Sequence, residues 1–131
     1  MKVCLSSTTN NLEGQLDPRF GRCAYLLIVD IERLQCEAIA NPGANATGGA
    51  GIQAAQTIAN KGAKVVLTGD VGPNAFKALS AAGIEIITDA SGTIMEVVGK
   101  FKRGELKKTG APTVAGHLGT GRGQGKGIWT P

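Results

Sequence analysis

The segment GAGIQAAQTIANKGAKVVLTGDVGPNAFKALSAAGIEIITD, residues 49–89, decides the fold because helical and strand patterns alternate along it. The first helical pattern has an apolar stripe that ends in a glycine: Ile52, Ala55, Ile58, Ala59 and Gly62. The second begins with Pro73, turns Phe76 and Leu79 inward and stops at Gly83. The runs KVVLTG and IEIITD follow these helices as strands. Strands that alternate with helices predict parallel pairing through right-handed crossovers.

Three β-rich runs precede this segment, and one more helix follows it. KVCLSS (2–7), YLLIVDI (25–31) and LQCEAIA (34–40) predict strands, the last two joined as a hairpin. TIMEVVGKFKRG (93–104) has the capping-box spacing of Thr93 and Glu96 and predicts a helix. The order βββαβαβα predicts a three-layer α/β/α domain over residues 1–108, with a mixed five-stranded sheet of order 3-2-1-4-5.

Four polar, glycine-rich loops are expected at one edge of this sheet, because the first, third, fourth and fifth strands would point the same way. They are SSTTNNLEGQLDPRFGR, NPGANATGGAG, TGDVGP and DASG. Ligands of open α/β sheets bind beyond the carboxyl ends of such strands, where the connections change direction. Glycines also simply punctuate turns and cap helices, so each loop alone has a plain structural explanation. Their common position favours a binding site.

The stretch LDPRFGRCAY, residues 16–25, supplies charge and a thiol to this edge. Arg19 and Arg22 offer charge-assisted hydrogen bonds, and helices starting near Gly49, Gly72 and Gly92 offer backbone N–H groups. These features indicate anion binding more than bond breaking. GGAG matches neither a P-loop nor a dinucleotide fingerprint, so nucleotide binding is weakly supported. Cys23 is either a soft metal ligand or a small apolar residue at a strand start.

Composition limits the class of protein. The chain has 131 residues and 42% apolar content, enough for one core. It has no apolar run of about 18 residues and no secretory signal pattern, so we expect a cytoplasmic protein without a membrane span. The number and spacing of the three cysteines do not favour a disulfide scaffold or a zinc finger. Cys4 and Cys36 alternate with apolar residues in predicted strands, which predicts that both serve packing.

Charge is concentrated at the end of the chain. The net charge is +4, yet residues 100–131 hold seven basic residues and one acidic residue. This basic segment continues into a glycine-rich stretch, residues 109–131, which predicts a flexible, solvated tail. RNA binding by the tail is a weaker alternative, so a nucleic-acid partner is not expected. His117 is either a solvated tail residue or an iron ligand that folds over the loops.

DPRFGRCAYLLIVD together with residues 49–86 closely resembles the dinitrogenase iron-molybdenum cofactor biosynthesis family, and the resemblance covers residues 2–105. It implies a ribonuclease H-like fold and a role related to nitrogen fixation. The implied function is a non-enzymatic carrier of an anionic iron-sulfur or iron-molybdenum cofactor, or its precursor, that works between unidentified donor and acceptor proteins of metallocluster biosynthesis. With the loops above, it predicts metal ligation by Cys23 and His117 and cofactor contacts from Arg19, Phe20, Gly21, Arg22, Cys23, Gly48, Gly49, Gly51, Thr68, Gly69 and Gly72.

Two other classes stay open. A metal-dependent nuclease on the same fold would use clustered carboxylates, for which Asp70 and Asp89 follow the fourth and fifth strands. The first strand has no carboxylate and no nucleophile–base pair is evident, so we do not expect an enzyme. A protein-interaction module would instead use the exposed hairpin edge and the basic tail.

Overall fold

The computed structural model describes residues 1–42 and 49–110. The strands are β1 (Lys2–Ser7), β2 (Tyr25–Asp30), β3 (Gln35–Ala40), β4 (Val65–Leu67) and β5 (Glu85–Ile87). The helices are α1 (Ala50–Asn60), α2 (Pro73–Ala81) and α3 (Ile94–Lys102), and a 3₁₀ turn covers Phe20–Arg22. The predictions for Gly48, His117 and the tail from residue 111 onward lie outside the described residues.

The sheet has the order β3-β2-β1-β4-β5, as the sequence predicts. β1 pairs antiparallel with β2 and parallel with β4, while β3 pairs antiparallel with β2 and β5 pairs parallel with β4. The carboxyl ends of β1, β3, β4 and β5 therefore lie at one edge. The predicted gathering of the four loops at this edge is confirmed as far as they are described.

Two apolar clusters, one on each face of the sheet, build the three layers. One joins the sheet to α1 and α2 through residues such as Cys4, Leu26, Ile58 and Leu79. The other joins it to α3 through residues such as Val3, Leu5, Ile94 and Val97. Cys4 is fully buried, and Cys36 packs half-buried against the second cluster, so both serve packing as predicted. No helix in the described ranges is long and apolar enough to cross a membrane.

The predicted apolar stripe of α1 is wrong at Ile52, which is 37% exposed. The buried residues of this helix are Ala50, Ala54, Ala55 and Ile58. Close approach of neighbouring backbones fixes this orientation, since a β-carbon on Gly51 would lie 2.7 Å from Cβ of Ala75 in α2. The helix therefore packs through its smallest residues, and its larger Ile52 remains at the surface.

Candidate functional site

A groove of about 560 Å³ opens at the sheet edge where β1 and β3 end and β2 begins. We call it the arginine groove. Its polar lining includes both arginines predicted for the site. Among the described residues it is lined by Thr8, Asp17, Arg19, Arg22, Ala24, Tyr25, Ala40 and Asn41.

The loop after β1 is held against the ends of β1 and β4 by buried hydrogen bonds. The Asp17 amide donates to the Ser6 carbonyl at 2.9 Å, and the Ser6 hydroxyl donates to the Asp17 carbonyl at 2.6 Å. The same Ser6 hydroxyl lies 2.7 Å from the hydroxyl of Thr68, which has no solvent exposure. Thr68 was predicted to contact a cofactor, but its hydroxyl is instead bonded inside the protein, where it positions the loop.

Gly69 has a similar supporting role. A β-carbon there would lie 2.6 Å from Cα of Pro18 and 2.9 Å from the Pro18 carbonyl oxygen. That oxygen accepts a hydrogen bond from the Asp70 amide at 2.7 Å. Glycine is therefore needed at residue 69 so that the Pro18 backbone can pass next to the end of β4. Gly69, predicted to contact a cofactor, thus contacts the loop that carries Arg19.

In the segment from Arg19 to Cys23, some side chains are exposed at the groove and others are buried in the core. In a 3₁₀ turn, residues three apart lie on the same side. Arg19 and Arg22 are exposed at the groove, whereas Phe20 and Cys23 are buried at 1% and 0% exposure in the cluster beneath α1 and α2. The turn thus supplies positive charge to the groove and apolar contacts to the core. Phe20, predicted to contact the cofactor, is buried in the core in this structure.

Cys23 is a buried thiol in this structure. Its Sγ donates to the Phe20 carbonyl at 3.2 Å, and Nδ2 of Asn41 donates to the Cys23 carbonyl at 2.9 Å and approaches Sγ at 3.7 Å. Burial raises the pKa of this thiol to about 12. A metal ligand must be a deprotonated cysteine, and burial disfavours that thiolate form of Cys23.

Asp17 and Arg19 form an ion pair inside the groove. Nε and Nη2 of Arg19 donate to Oδ1 and Oδ2 of Asp17, each at 3.1 Å, and the Arg19 amide donates to Oδ1 at 2.9 Å. Burial by itself raises the pKa of Asp17, but the hydrogen bonds and charge of Arg19 outweigh it and lower that pKa. The aspartate is 4% exposed, whereas the Arg19 side chain is 67% exposed.

The three helix starts at this edge are not equivalent. α1 begins after Gly49, which has a φ of 73°, and α2 begins after Gly72; neither has a side-chain cap. α3 was expected to offer free N–H groups near Gly92, and this expectation is wrong. Its first turn is closed by the capping box of Thr93 and Glu96 and by a 2.9 Å bond from the Ile94 amide to the Gly14 carbonyl.

The turn is brought directly against the first residues of α1. A β-carbon on Gly21 would lie 3.0 Å from the amide nitrogen of Gly51. Gly21 stands between the two arginines in sequence, and the described lining of the arginine groove does not include the predicted residues Gly21, Gly49 and Gly51. Gly72 directly precedes α2, the helix whose Ala75 packs against Gly51 of α1.

Sequence reasoning missed four polar residues of the groove: Thr8, Asp17, Tyr25 and Asn41. The signal for Asp17 was the order Asp-Pro-Arg, in which the aspartate accepts from the backbone two residues later, as turn-forming aspartates do. Asn41 begins the sequence Asn-Pro-Gly, another turn pattern. Its side chain binds the carbonyls of Gly21 and Cys23 and so fixes the turn from the side of β3.

Metal-ligating side chains do not gather in residues 1–42 and 49–110. No group of three or more His, Cys, Asp or Glu side chains there could hold a metal ion. Asp70 and Asp89 therefore do not form the carboxylate cluster that a metal-dependent nuclease of this kind requires within these ranges.

Comparison with known proteins agrees with this fold. The orange protein of Desulfovibrio gigas, solved as its apo form, is 39% identical with a TM-score of 0.82, covering 86% of this chain and 95% of its own. A candidate NifB protein from Thermotoga is 32% identical with a TM-score of 0.72, covering 82% of this chain and 91% of its own. An uncharacterized protein of Methanocaldococcus jannaschii is 32% identical over 111 residues, which are 82% of this chain and 91% of that protein.

The family model described as dinitrogenase iron-molybdenum cofactor matches residues 1–104. This range contains the five strands, three helices and one 3₁₀ turn of the described fold. It also contains every described residue that lines the arginine groove. The match spans most of the chain and agrees with the resemblance carried by DPRFGRCAYLLIVD. The chain therefore belongs to the dinitrogenase iron-molybdenum cofactor family.

Proposed function

We propose that this protein is a non-catalytic carrier in metallocluster biosynthesis, which binds an anionic iron-sulfur or iron-molybdenum cofactor, or its precursor, in the arginine groove. It would receive this cargo from one protein and deliver it to another in the cytoplasm. The family description supports a cofactor of this class. The orange protein supports a binding role, because an apo form implies a ligand-bound form.

The observation that carries the proposal is the orientation of Arg19 and Arg22. Both are exposed at the mouth of one groove while the residues between and after them, Phe20 and Cys23, are buried beneath it. Hydrogen bonds from arginine to an anion are stronger than those between neutral groups, and the planar guanidinium can bind two acceptor atoms at once. The bridging sulfides and oxygens of an anionic cluster are such acceptors.

The cargo we propose brings its own metal ligands. The described residues offer no cluster of metal-ligating side chains, and burial beneath the turn raises the pKa of the Cys23 thiol and disfavours its thiolate form. Charge and hydrogen bonds at the groove would then retain the cluster, and release would require no bond to a protein thiolate to break. Ligation by Cys23 remains a prediction that requires the turn to open, and ligation by His117 remains a prediction outside the described residues.

Anaerobic titration with an anionic iron-sulfur cluster, assembled from iron, sulfide and a small thiol, tests the proposal through absorbance and protein-bound iron. Arg19→Gln and Arg22→Gln should each weaken binding about 10- to 100-fold, since a hydrogen bond to a charged group contributes about 1.5–3 kcal/mol. The loss should shrink as salt increases, because salt screens exposed charges.

Arg33→Gln is the matched control, because Arg33 is exposed on the β2–β3 turn at the opposite edge of the sheet. Its affinity should equal that of the wild type. Absence of cluster binding by the wild type, or an equal loss in the Arg33 variant, would contradict the carrier proposal. Cleavage of nucleic acid with magnesium or manganese would support the nuclease alternative instead.

A further inference from the structure

A buried carboxylate lies in the groove that we propose binds an anion. Asp17 is 4% exposed and lines the groove together with Arg19 and Arg22. Its charge repels an anionic ligand, so its presence there needs a reason. Its lowered pKa keeps it ionised at neutral pH, which excludes a neutral carboxylic acid. The hydrogen bonds of Asp17 to Ser6 and to Arg19 supply this reason.

The backbone of Asp17 is fixed on both sides by Ser6 of β1. The Asp17 amide donates to the Ser6 carbonyl, and its own carbonyl accepts from the Ser6 hydroxyl, at 2.9 Å and 2.6 Å. Ser6 is fully buried and is bonded in turn to Thr68 at the end of β4. The carboxylate of Asp17 therefore projects from a rigid part of the sheet edge.

Both oxygens of this carboxylate are used on Arg19. Oδ1 accepts from the Arg19 amide and from Nε, and Oδ2 accepts from Nη2. A pairing through Nε and Nη2 fixes the guanidinium plane as well as its position. The remaining donors, on Nη1 and the outer side of Nη2, have no partner within residues 1–42 and 49–110. This outer edge belongs to a side chain that is 67% exposed.

We propose that Asp17 is a positioning residue for anion binding, which orients the outer Nη1–Nη2 edge of Arg19 toward the bound cluster. This inference rests on the proposed function. An arginine held in advance loses less conformational entropy when it binds, and this gain exceeds the repulsion between Asp17 and the ligand. Asp17 therefore increases affinity for an anion despite carrying the same sign of charge.

The variant Asp17→Asn distinguishes two hypotheses, because charge repulsion alone and the positioning of Arg19 predict opposite changes in cluster affinity. The substitution removes a negative charge from the groove, so repulsion alone predicts tighter binding of the synthetic iron-sulfur cluster. The asparagine Oδ1 can still accept from the Arg19 amide, but its Nδ2 cannot accept from the guanidinium. Positioning therefore predicts binding weaker by about 5- to 50-fold, within the range of coupling between residues in contact. Equal or tighter binding by Asp17→Asn would overturn the inference.

The Arg19→Gln background separates positioning from a general loss of structure. With no guanidinium left to orient, adding Asp17→Asn should leave affinity unchanged or raise it slightly. If Asp17→Asn still lowered cluster affinity by about 5- to 50-fold in this background, as expected in the wild type, Asp17 would not act through Arg19. NMR of the Arg19 Nε–H group adds a readout without ligand: its hydrogen exchange should be slow in the wild type and fast in Asp17→Asn.

Arg19→Lys serves if Asp17→Asn does not fold, since it keeps every carboxylate and the net charge. A lysine cannot both pair with Asp17 and present a planar donor edge, so affinity should again fall, and unchanged affinity would overturn the inference. A wild type that binds no cluster contradicts the proposed function itself. A wild type that binds, with unweakened Asp17→Asn, contradicts only the role of Asp17.

Discussion

Helices α1 and α3 lie on opposite faces of the sheet and begin at the same edge, but their first turns are completed differently. In α3 the Thr93 hydroxyl accepts from the Glu96 amide at 3.1 Å, and the Glu96 carboxylate accepts from the Thr93 amide at 2.8 Å. In α1 the first turn follows Gly49 without a side-chain cap, and the position equivalent to Glu96 is occupied by Ile52. The first turn of α3 is therefore capped by its own side chains, whereas the N-cap residue of α1 provides no side-chain cap.

This difference shows that a glycine-rich helix start is not enough to mark an anion site. A glycine stands at the start of both helices, Gly49 directly before α1 and Gly92 one residue before the N-cap of α3, yet Glu96 already supplies a negative charge where an anion would bind α3. At α1 the Gly21 that contacts Gly51 stands between Arg19 and Arg22 in sequence, so the turn packed against this helix start carries positive charge. The neighbours of each helix start decide whether it suits an anion.

The largest expected effect concerns Cys23, next to the open helix start. Its pKa of about 12, against an ordinary 9.0, lowers its thiolate fraction near neutral pH by about a thousandfold. In the native protein, iodoacetamide should therefore modify the half-buried Cys36 long before Cys23. Mass spectrometry of the cysteine peptides measures both rates.

Denatured protein is the control, since all three cysteines should then react at similar rates. Rapid modification of Cys23 in the native state would show that the turn opens readily. The Cys23 thiol would then be accessible from the start of α1, which would favour Cys23 as a metal ligand.

The next effect is on the loop that carries Arg19. Gly69→Ala places a methyl group 2.6 Å from Pro18, and neither backbone can move without straining the 2.7 Å bond from Asp70 to Pro18. We expect a loss of about 1–3 kcal/mol in the free energy of unfolding, as for other overpacked positions. Urea denaturation measures it, and cluster affinity should fall as well.

Gly72→Ala is the control for folding within the same loop. Gly72 has an ordinary φ of −79°, and apart from its two chain neighbours no atom of the described residues lies within 4 Å of its would-be β-carbon. Its stability should change by no more than about 0.5 kcal/mol. Equal losses in the two variants would contradict the close passage of Pro18 past Gly69.

The fold was predictable because its signals are local. Alternating helical and strand patterns around Pro73 and Gly83 fix the parallel half, and the hairpin spacing after Asp30 fixes the other. The direction of single side chains was less predictable. Phe20 lies between two exposed arginines in sequence and is buried in the core, because the chain forms a 3₁₀ turn there. The three-residue spacing of Arg19 and Arg22, and of Phe20 and Cys23, was the available signal.

Asp17 could not be assigned from the sequence for a different reason. An aspartate before a proline is an ordinary turn residue, and only the packed structure shows that it is buried and paired with Arg19. The same holds for Thr68, whose partner Ser6 is distant in sequence. Long-range hydrogen bonds decide these roles, and one sequence does not display them.

A smaller effect should follow from opening the closed helix. Thr93→Ala removes the capping hydroxyl of α3 and should lower the free energy of unfolding by about 1 kcal/mol. Cluster affinity should stay the same, because this helix start does not face the arginine groove. The Thr93 amide and hydroxyl lower the pKa of Glu96, so this capping contribution is present above the ordinary glutamate pKa and is lost as pH falls through the lowered value.

Urea denaturation at several pH values measures the Thr93 effect. The difference between wild type and Thr93→Ala should narrow on acidification. A constant difference at all pH values would mean that the Thr93 hydroxyl does not stabilise the ionised Glu96 carboxylate, and a fall in cluster affinity would mean that α3 also contributes to the site.

The smallest effect, and the most direct test of the comparison, comes from giving α1 the acidic residue that α3 has. Ile52 is 37% exposed in the first turn, so Ile52→Glu buries no charge. A carboxylate at a helix N-terminus contributes about 0.3–1 kcal/mol, so the variant should be at least as stable as the wild type. If the start of α1 helps to hold the cluster, the new charge should weaken binding about two- to fivefold, and the loss should fade as salt increases. Ile52→Gln has a similar shape without the charge and should bind like the wild type. Equal affinity of the Glu and Gln variants at low salt would restrict the anion site to the arginines and make the uncapped start of α1 a packing feature, required only so that Gly21 and Gly51 can approach each other.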